Sequence, residues 1–203
     1  MRKVALNKST LNKESGKVKA YKKFVPALDL KRKQLLAARV KAQQSLLAGT
    51  QELAALHLEV SEQLPMLANF PGAVDKLIDV QEIKVSQVNL VGLLLPEITS
   101  LKLAIKPYSF LTTDHWMDHL ARLLIKSTEI ELQQKILNKR LELLNKALQK
   151  TTQRLNLFDK VLIPRAQSNI RKIRIALSDS ERAGVVTSKI AKNKRLKAEA
   201  ERV

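Results

Sequence analysis

The stretch TTQRLNLFDKVLIPRAQSNIRKIRIAL, Thr151–Leu177, decides the fold. Leucine enters it at seven-residue intervals (Leu141, Leu148, Leu155, Leu162), and a second set runs Ile130, Leu137, Leu144, Thr151, Phe158. Two interleaved sets of this kind trace the seam of a coiled coil. Pro164 falls where the helix should continue, although proline lacks the backbone N–H and crowds the preceding turn. Beyond it the apolar positions resume one residue out of step, as Ile163, Ile170, Leu177 with Ala166 and Ile173. A straight helix drifts by about 20° per heptad against a 3.5-residue repeat, so a shift of register keeps the stripe on one side. The sequence therefore predicts a long helix bent at Pro164, with its seam intact.

The amino-terminal part has the same character. One seam is Val4, Leu11, Val18, Val25, Arg32, Arg39, Leu46, Leu53, Val60; its companion is Asn7, Glu14, Tyr21, Leu28, Leu35, Ala42, Gly49, Leu56. A helix over these residues would run about 60 residues, or roughly 90 Å, with a bend expected at Pro26. Arg32 and Arg39 stand on the seam, where a charge destabilises unless it is paired or its long stem lets the head reach water.

Between the helical parts, Asn69-Phe70-Pro71-Gly72 signals a break. Ile83, Val85, Val88, Leu90 and then Ile98, Leu101, Leu103, Ile105 alternate as short β-branched strands do, with Gly92 and Pro96 near the bend. The expectation is a β-hairpin over Ile83–Ile105, with a helix possible between Pro71 and Ile83. Thr112-Thr113-Asp114 offers an N-cap and an acid for the next helix. The expected fold is all-α dominated: a long antiparallel two-helix coiled coil of N- and C-terminal helices, with a short β-hairpin or helical insertion in the middle. The parts are 1–68, 69–112 and 113–203, forming one elongated unit. Antiparallel pairing follows because each narrow stripe needs a cover.

Composition agrees. Among 203 residues there are only 5 Gly and 6 Pro, and aromatics make up 3%, which suits few, long helices. With no Cys, disulfides and thiolate metal sites are excluded and an intracellular chain is expected. No leader is expected, and the longest apolar run, Val88–Leu95, is far short of the roughly 20 residues that span a bilayer. The net charge is +18. Residues 1–41 carry 13 Lys/Arg against Glu14 and Asp29, and residues 182–203 carry 7 against Glu199 and Glu201, so the two ends hold +16 of it. Such ends either solvate the surface or meet an anionic partner, nucleic acid or acidic protein.

Catalytic signatures are missing: there is no P-loop, G-x-S-x-G or H-E-x-x-H. His115 and His119, beside Asp114 and Asp118, share a helical face at i, i+4 and could form a zinc half-site, but a catalytic zinc needs a third protein ligand and His57 is distant. No metal or cofactor is expected. Tyr21, Phe24, Trp116 and Phe158 read as packing residues, since aromatics are too sparse in the basic regions for a base-stacking platform.

Three blocks resemble the D subunit of the V-type (A/V-type) rotary ATPases: LNKSTLNKESGKVKAYKKFVPALDLKRKQLL (Leu6–Leu36), VNLVGLLLP (Val88–Pro96) and QRLNLFDKVLIPRAQSNIRKIRIALSDSER (Gln153–Arg182). In the last, Arg154, Asn156, Ile163, Pro164, Ile170, Ile173, Leu177, Glu181 and Arg182 fall on the family pattern, while Leu155, Leu157, Phe158, Asp159 and Ser180 depart from it, as in a divergent bacterial member. The resemblance implies a non-catalytic central-stalk component, peripheral to the membrane on its cytoplasmic side. Its implied partners are the A and B subunits of the catalytic hexamer, the F subunit, and the d (also called C) subunit toward the membrane ring, with no nucleic acid and no insertion into the bilayer. The shaft would couple ATP hydrolysis or synthesis to H⁺ or Na⁺ movement. Lys31, Arg32, Arg154, Arg165, Arg171, Arg174 and Arg182 are the candidates for hexamer contact. The hairpin residues Ile83, Val85, Val88, Leu90, Gly92, Pro96, Leu101, Leu103 and Ile105 are candidates for a partner-binding or regulatory element. The alternative on composition is a basic coiled-coil protein that binds nucleic acid or acts as a scaffold.

Overall fold

A computed structural model describes residues 5–69, 74–108 and 113–200, without the side chains of 75, 76 and 198–200. The elements run α1 (Lys8–Gln63), two short 3₁₀ turns (Pro65–Asn69 and Val74–Leu77), β1 (Ile78–Leu90), β2 (Leu93–Ile105), α2 (Met117–Asn156), a π-helical turn (Leu157–Leu162) and α3 (Ile163–Ala200). Contacts divide the chain into two compact units: residues 1–30 with 151–203, and residues 31–150.

Helix α1 is 56 residues long and begins later than the heptads alone suggest. Asn7, expected on the seam, instead caps it: its Oδ1 accepts from the Thr10 backbone N–H at 2.8 Å and from the Thr10 hydroxyl at 2.6 Å. This satisfies a donor that the first turn leaves without a partner. The covered residues of α1 then follow the two expected seams: Leu11, Glu14, Val18, Tyr21, Val25, Leu28, Leu35, Ala42, Leu46, Gly49, Leu53, Leu56 and Val60 are all buried or half-buried. Pro26 lies within α1, which stays α-helical on both sides of it.

In the unit of residues 31–150, α1 and α2 pair antiparallel. Leu35 and Ala42 share a core with Leu144 and Leu148, while Leu56 and Val60 lie with Leu120 and Leu123. The hairpin lies on this pair through one side chain above all: Leu95 of β2 is buried in the cluster of Leu35, Ala42, Leu144 and Leu148, with Leu90 and Leu93 at its margin. Strand β1 starts at Ile78, five residues before the expected start, and among the described residues of the stretch up to Ile83 the helical part is the single 3₁₀ turn Val74–Leu77. β-Branched Ile78 and Val80 favour the extended backbone and pair with Ile105 and Leu103. Pro96 is not near the bend; it sits inside β2 opposite Gln87, tolerable because each strand of a two-stranded sheet has an open edge. The turn itself is Val91-Gly92, both with positive φ (53° and 79°), as the tight hairpin turn that matches strand twist requires. Asn89 Oδ1 accepts from the Gly92 N–H at 2.8 Å.

A second core ties the helix ends of this unit together: Leu64, Trp116, Met117, Leu120 and Leu123, with Leu67, Val74, Leu77 and Tyr108 against it. Trp116 is thus a packing residue, as expected. Helix α2 begins at Met117, whose N–H donates to the Asp114 carbonyl at 3.1 Å; Thr112 of the expected cap lies outside the described residues.

Candidate functional site

The unit of residues 1–30 and 151–203 joins the amino-terminal part of α1 to the carboxy-terminal helix. It carries 21 Lys/Arg against 7 Asp/Glu, a net +14, whereas residues 31–150 carry 16 against 12, a net +4. Here α1 pairs antiparallel with the carboxy-terminal helix: the Tyr21 ring lies 5.4 Å from that of Phe158, and earlier in α1 Glu14 meets Asn169. Along the carboxy-terminal helix, Thr151, Leu155, Phe158, Leu162, Ala166 and Ile173 are covered. Phe24 does not pack as expected; it is largely exposed, its ring 6.5 Å from Phe158.

The register shift seen in the sequence has a local cause. The covered positions alternate in steps of four and three up to Phe158, then step by four twice, to Leu162 and Ala166. One residue is therefore extra. The chain absorbs it in the π turn, where the Ile163 N–H donates to the Phe158 carbonyl, five residues back. Pro164 follows at the second residue of α3, directly after the π turn. The expected bend at the proline is thus a π turn just ahead of it, which sequence periodicity signalled only as a change of step.

One acid is buried in this seam. Glu14 accepts from Lys17 Nζ at 2.6 Å and from Asn169 Nδ2 at 3.4 Å. The Lys17 hydrogen bond, helped by Asn169 and the charge of Arg165, outweighs the effect of burial and holds the carboxyl below its ordinary 4.5. The same bond raises the Lys17 ammonium. Heptad reading put Glu14 on the seam; the partner 155 residues away came only from the pairing of helices.

The seven basic candidates do not form one cluster. Arg154, Arg165, Arg171, Arg174 and Arg182 are exposed on the carboxy-terminal helix of the basic unit. Lys31 and Arg32 belong to the other unit and are half-buried; Lys31 Nζ stands beside the hairpin turn, 3.8 Å from where a Cβ on Gly92 would be. Arg39 is also half-buried. Of the hairpin candidates, Ile83, Val85, Val88 and Ile105 are exposed, while Leu90, Pro96, Leu101 and Leu103 are partly covered and Gly92 makes the turn. Glu82 of β1 is paired with Lys84 at 2.8 Å and, across the strands, with Lys102 at 3.1 Å.

His119 Nε2 lies 2.7 Å from Gln63 Oε1, a bond between the start of α2 and the end of α1. Asp118 accepts from the Tyr108 hydroxyl. Two members of the His/Asp group are thus engaged in packing the helix ends, and among the described residues no three His, Asp or Glu side chains are grouped to hold a metal ion. A cavity of about 680 Å³ in the unit of residues 31–150 is walled mainly by Leu56, Val60, Leu64, Leu120, Leu123 and Leu124, with His57 the one titratable group among its described lining residues. Among the described residues no helix is long and apolar enough to cross a membrane.

Fold and surface together define a class: a coiled-coil-like helical protein with a two-stranded hairpin, whose distinctive chemistry is a cationic helix pair. Residues 10–193 match the family model described as the ATP synthase D subunit. The chain is 33% identical over 198 residues to the V-type ATP synthase D subunit of Borreliella burgdorferi, covering 97% of both chains. It is 29% identical over 194 residues to that of Chlamydia trachomatis serovar L2 (94% of this chain, 95% of the relative), and 27% identical over 197 residues to that of Chlamydia pneumoniae (94% and 92%). The chain belongs to the ATP synthase D subunit family.

Proposed function

We propose that this chain is the non-catalytic central-stalk shaft of a V-type ATPase or ATP synthase, coupling ATP hydrolysis or synthesis in the hexamer of A and B subunits to H⁺ or Na⁺ translocation. The observation that carries it is the basic unit: an antiparallel helix pair with a covered seam from Leu11 to Leu28 and from Thr151 to Leu177, in a unit of net charge +14. Membership of the D subunit family supports the same reading. The partners on this view are the A and B subunits around the helix pair, the F subunit on the middle region, and the d (or C) subunit toward the membrane ring, so that the chain is peripheral to the membrane on its cytoplasmic side.

The mechanism needs no chemistry from the shaft. A rod whose sides differ presents a different surface to each of three nucleotide sites, so each site's conformational equilibrium depends on the angle of the rod. Coupling is then a difference in contact free energy between states, and it is reciprocal: nucleotide state biases angle and angle biases nucleotide affinity. Torque passes through the helix pair, and close-packed seam residues supply the stiffness. The exposed cations Arg154, Arg165, Arg171, Arg174 and Arg182, with Lys31 and Arg32, are assigned to hexamer contact, and the hairpin to partner binding or regulation.

The test is reconstitution of the A/B hexamer and the F subunit with and without this chain on ion-pumping vesicles. ATP-driven ion uptake should require the chain, and neutralising the arginines in groups should lower coupled turnover while the complex of this chain with F stays folded. Ion uptake that is unchanged when the chain is omitted would refute the reading. Retention of nucleic acid at moderate salt, in place of A, B and F, would favour the basic coiled-coil alternative.

A further inference from the structure

The π turn does more than absorb an extra residue. Arg154, Leu157, Val161 and Arg165 each stand one residue before a covered position (Leu155, Phe158, Leu162, Ala166). All four therefore lie on one flank of the carboxy-terminal helix. Leu157 and Val161 are each 48% exposed, and Phe24, beside Phe158, extends the apolar surface onto α1 at 57% exposed. This is an apolar patch in the most strongly charged part of the molecule, closed at either end by an exposed guanidinium. π turns of this kind concentrate at functional sites. Buried apolar contacts with arginine at the margin are the composition of binding hot spots.

We infer that Phe24, Leu157 and Val161, clamped between Arg154 and Arg165, form a docking point for a protein surface that offers an apolar side chain bordered by carboxylates, and that the π turn is what presents it. The inference rests on the shaft reading, which makes the A/B hexamer the occupant, and it assigns an apolar anchor where charge alone would give only a loose electrostatic sleeve. Charge complementarity argues for the carboxylate border: the unit carries +14, and Arg154 and Arg165 offer bidentate donors on either side of the patch. Exposed cation pairs contribute little by themselves in salt, so the apolar contact supplies the part of the affinity that salt does not screen.

The experiment measures binding of the complete chain, with the F subunit, to the purified A/B hexamer at low and at physiological salt. Two variants are compared with the parent: Leu157→Ser with Val161→Ser, and deletion of Lys160. The deletion removes the extra residue, so the seam can run on as unbroken heptads, with Ile163 taking the place of Leu162 inside and Val161 displaced from the flank. Circular dichroism melting checks that each variant folds; the deletion should melt at or above the parent. The inference expects the double variant to bind at least tenfold more weakly at physiological salt, and the deletion to weaken binding despite its intact seam. If the parent binds and the double variant binds equally well, the docking point is overturned and the shaft reading stands. If the deletion alone binds like the parent, the role of the π turn is overturned. If the parent itself fails to bind the hexamer, the shaft reading falls and this inference falls with it.

Discussion

Pro26 and Pro164 both sit inside long helices of the same unit, yet only one is accompanied by a break in the α pattern. Around Pro26, α1 continues as α-helix and its seam keeps step through Tyr21, Val25, Leu28 and Leu35. Ahead of Pro164 the helix widens into a π turn and the seam changes step by one. The two prolines are chemically identical, so the difference lies in the apolar register. A helix tolerates a lost hydrogen bond on its exposed side, but it cannot hold Ala166 and Ile173 inside, given where Phe158 and Leu162 lie, without accommodating one more residue. The register makes the π turn, and the proline is a compatible neighbour.

The sharpest way to break this comparison is to test the register beyond the turn. Ile173 is fully buried and Ile175 is 56% exposed. Ile173→Ala should destabilise by about 2–5 kcal/mol, and Ile175→Ala by about 0.5 kcal/mol or less, in denaturant unfolding. Equal losses would mean that the register shift is wrong.

Next in size is the pair of prolines themselves. Pro26→Ala restores a backbone donor in the middle of α1 and should stabilise by about 1–3 kcal/mol. Pro164→Ala should change stability by less than about 0.5 kcal/mol, because the π turn remains necessary. A large gain at Pro164 with none at Pro26 would reverse the explanation.

Gly49 extends the comparison to the other unit, where the seam has no break. It faces Gln134, and a Cβ there would lie 3.4 Å from Gln134 Nε2 and 3.6 Å from Cγ, close to ordinary contact. Gly49→Ala should therefore stabilise by about 0.5–1 kcal/mol, seen as a higher melting temperature; a loss would show that the Gln134 amide cannot give way.

The smallest effect concerns Glu14. Its folded carboxyl titrates below the ordinary 4.5, so ionisation stabilises the fold above that pH, and this contribution is lost as pH falls through the lower folded value. The melting temperature of the parent should fall on acidification below about pH 4.5 more steeply than that of Glu14→Gln; parallel curves would remove Glu14 from the account.

Much of the fold was legible in the residues. Every heptad position of α1 from Leu11 to Val60 is covered, because a narrow stripe must face a partner and the helix period fixes which residues those are. The hairpin was legible through Ile83, Val85, Val88 and Leu90, but its start at Ile78 was not, since VDKLID has no period of its own. Asn7 was misassigned because a seam position and a cap position can coincide in a list of sevenths, and only the Thr10 donors separate them. Of the candidate site, the basic residues were visible. Their distribution over two units was not, and neither was the apolar patch: Leu157 and Val161 already lie off the heptads, but only the extra residue sets Val161 and Arg165 on the same flank.

By itself the sequence determined two long helices, a hairpin between them, and cationic chain ends, because helix period, strand alternation and net charge are local or additive properties. Only the tertiary structure decided that Leu95 anchors the hairpin, that Glu14 meets Asn169, and that the extra residue near Pro164 is taken up in a π turn. Each of those depends on which side chain stands opposite which, and two stripes with nearly the same period can be matched in several registers until packing and buried polar partners select one.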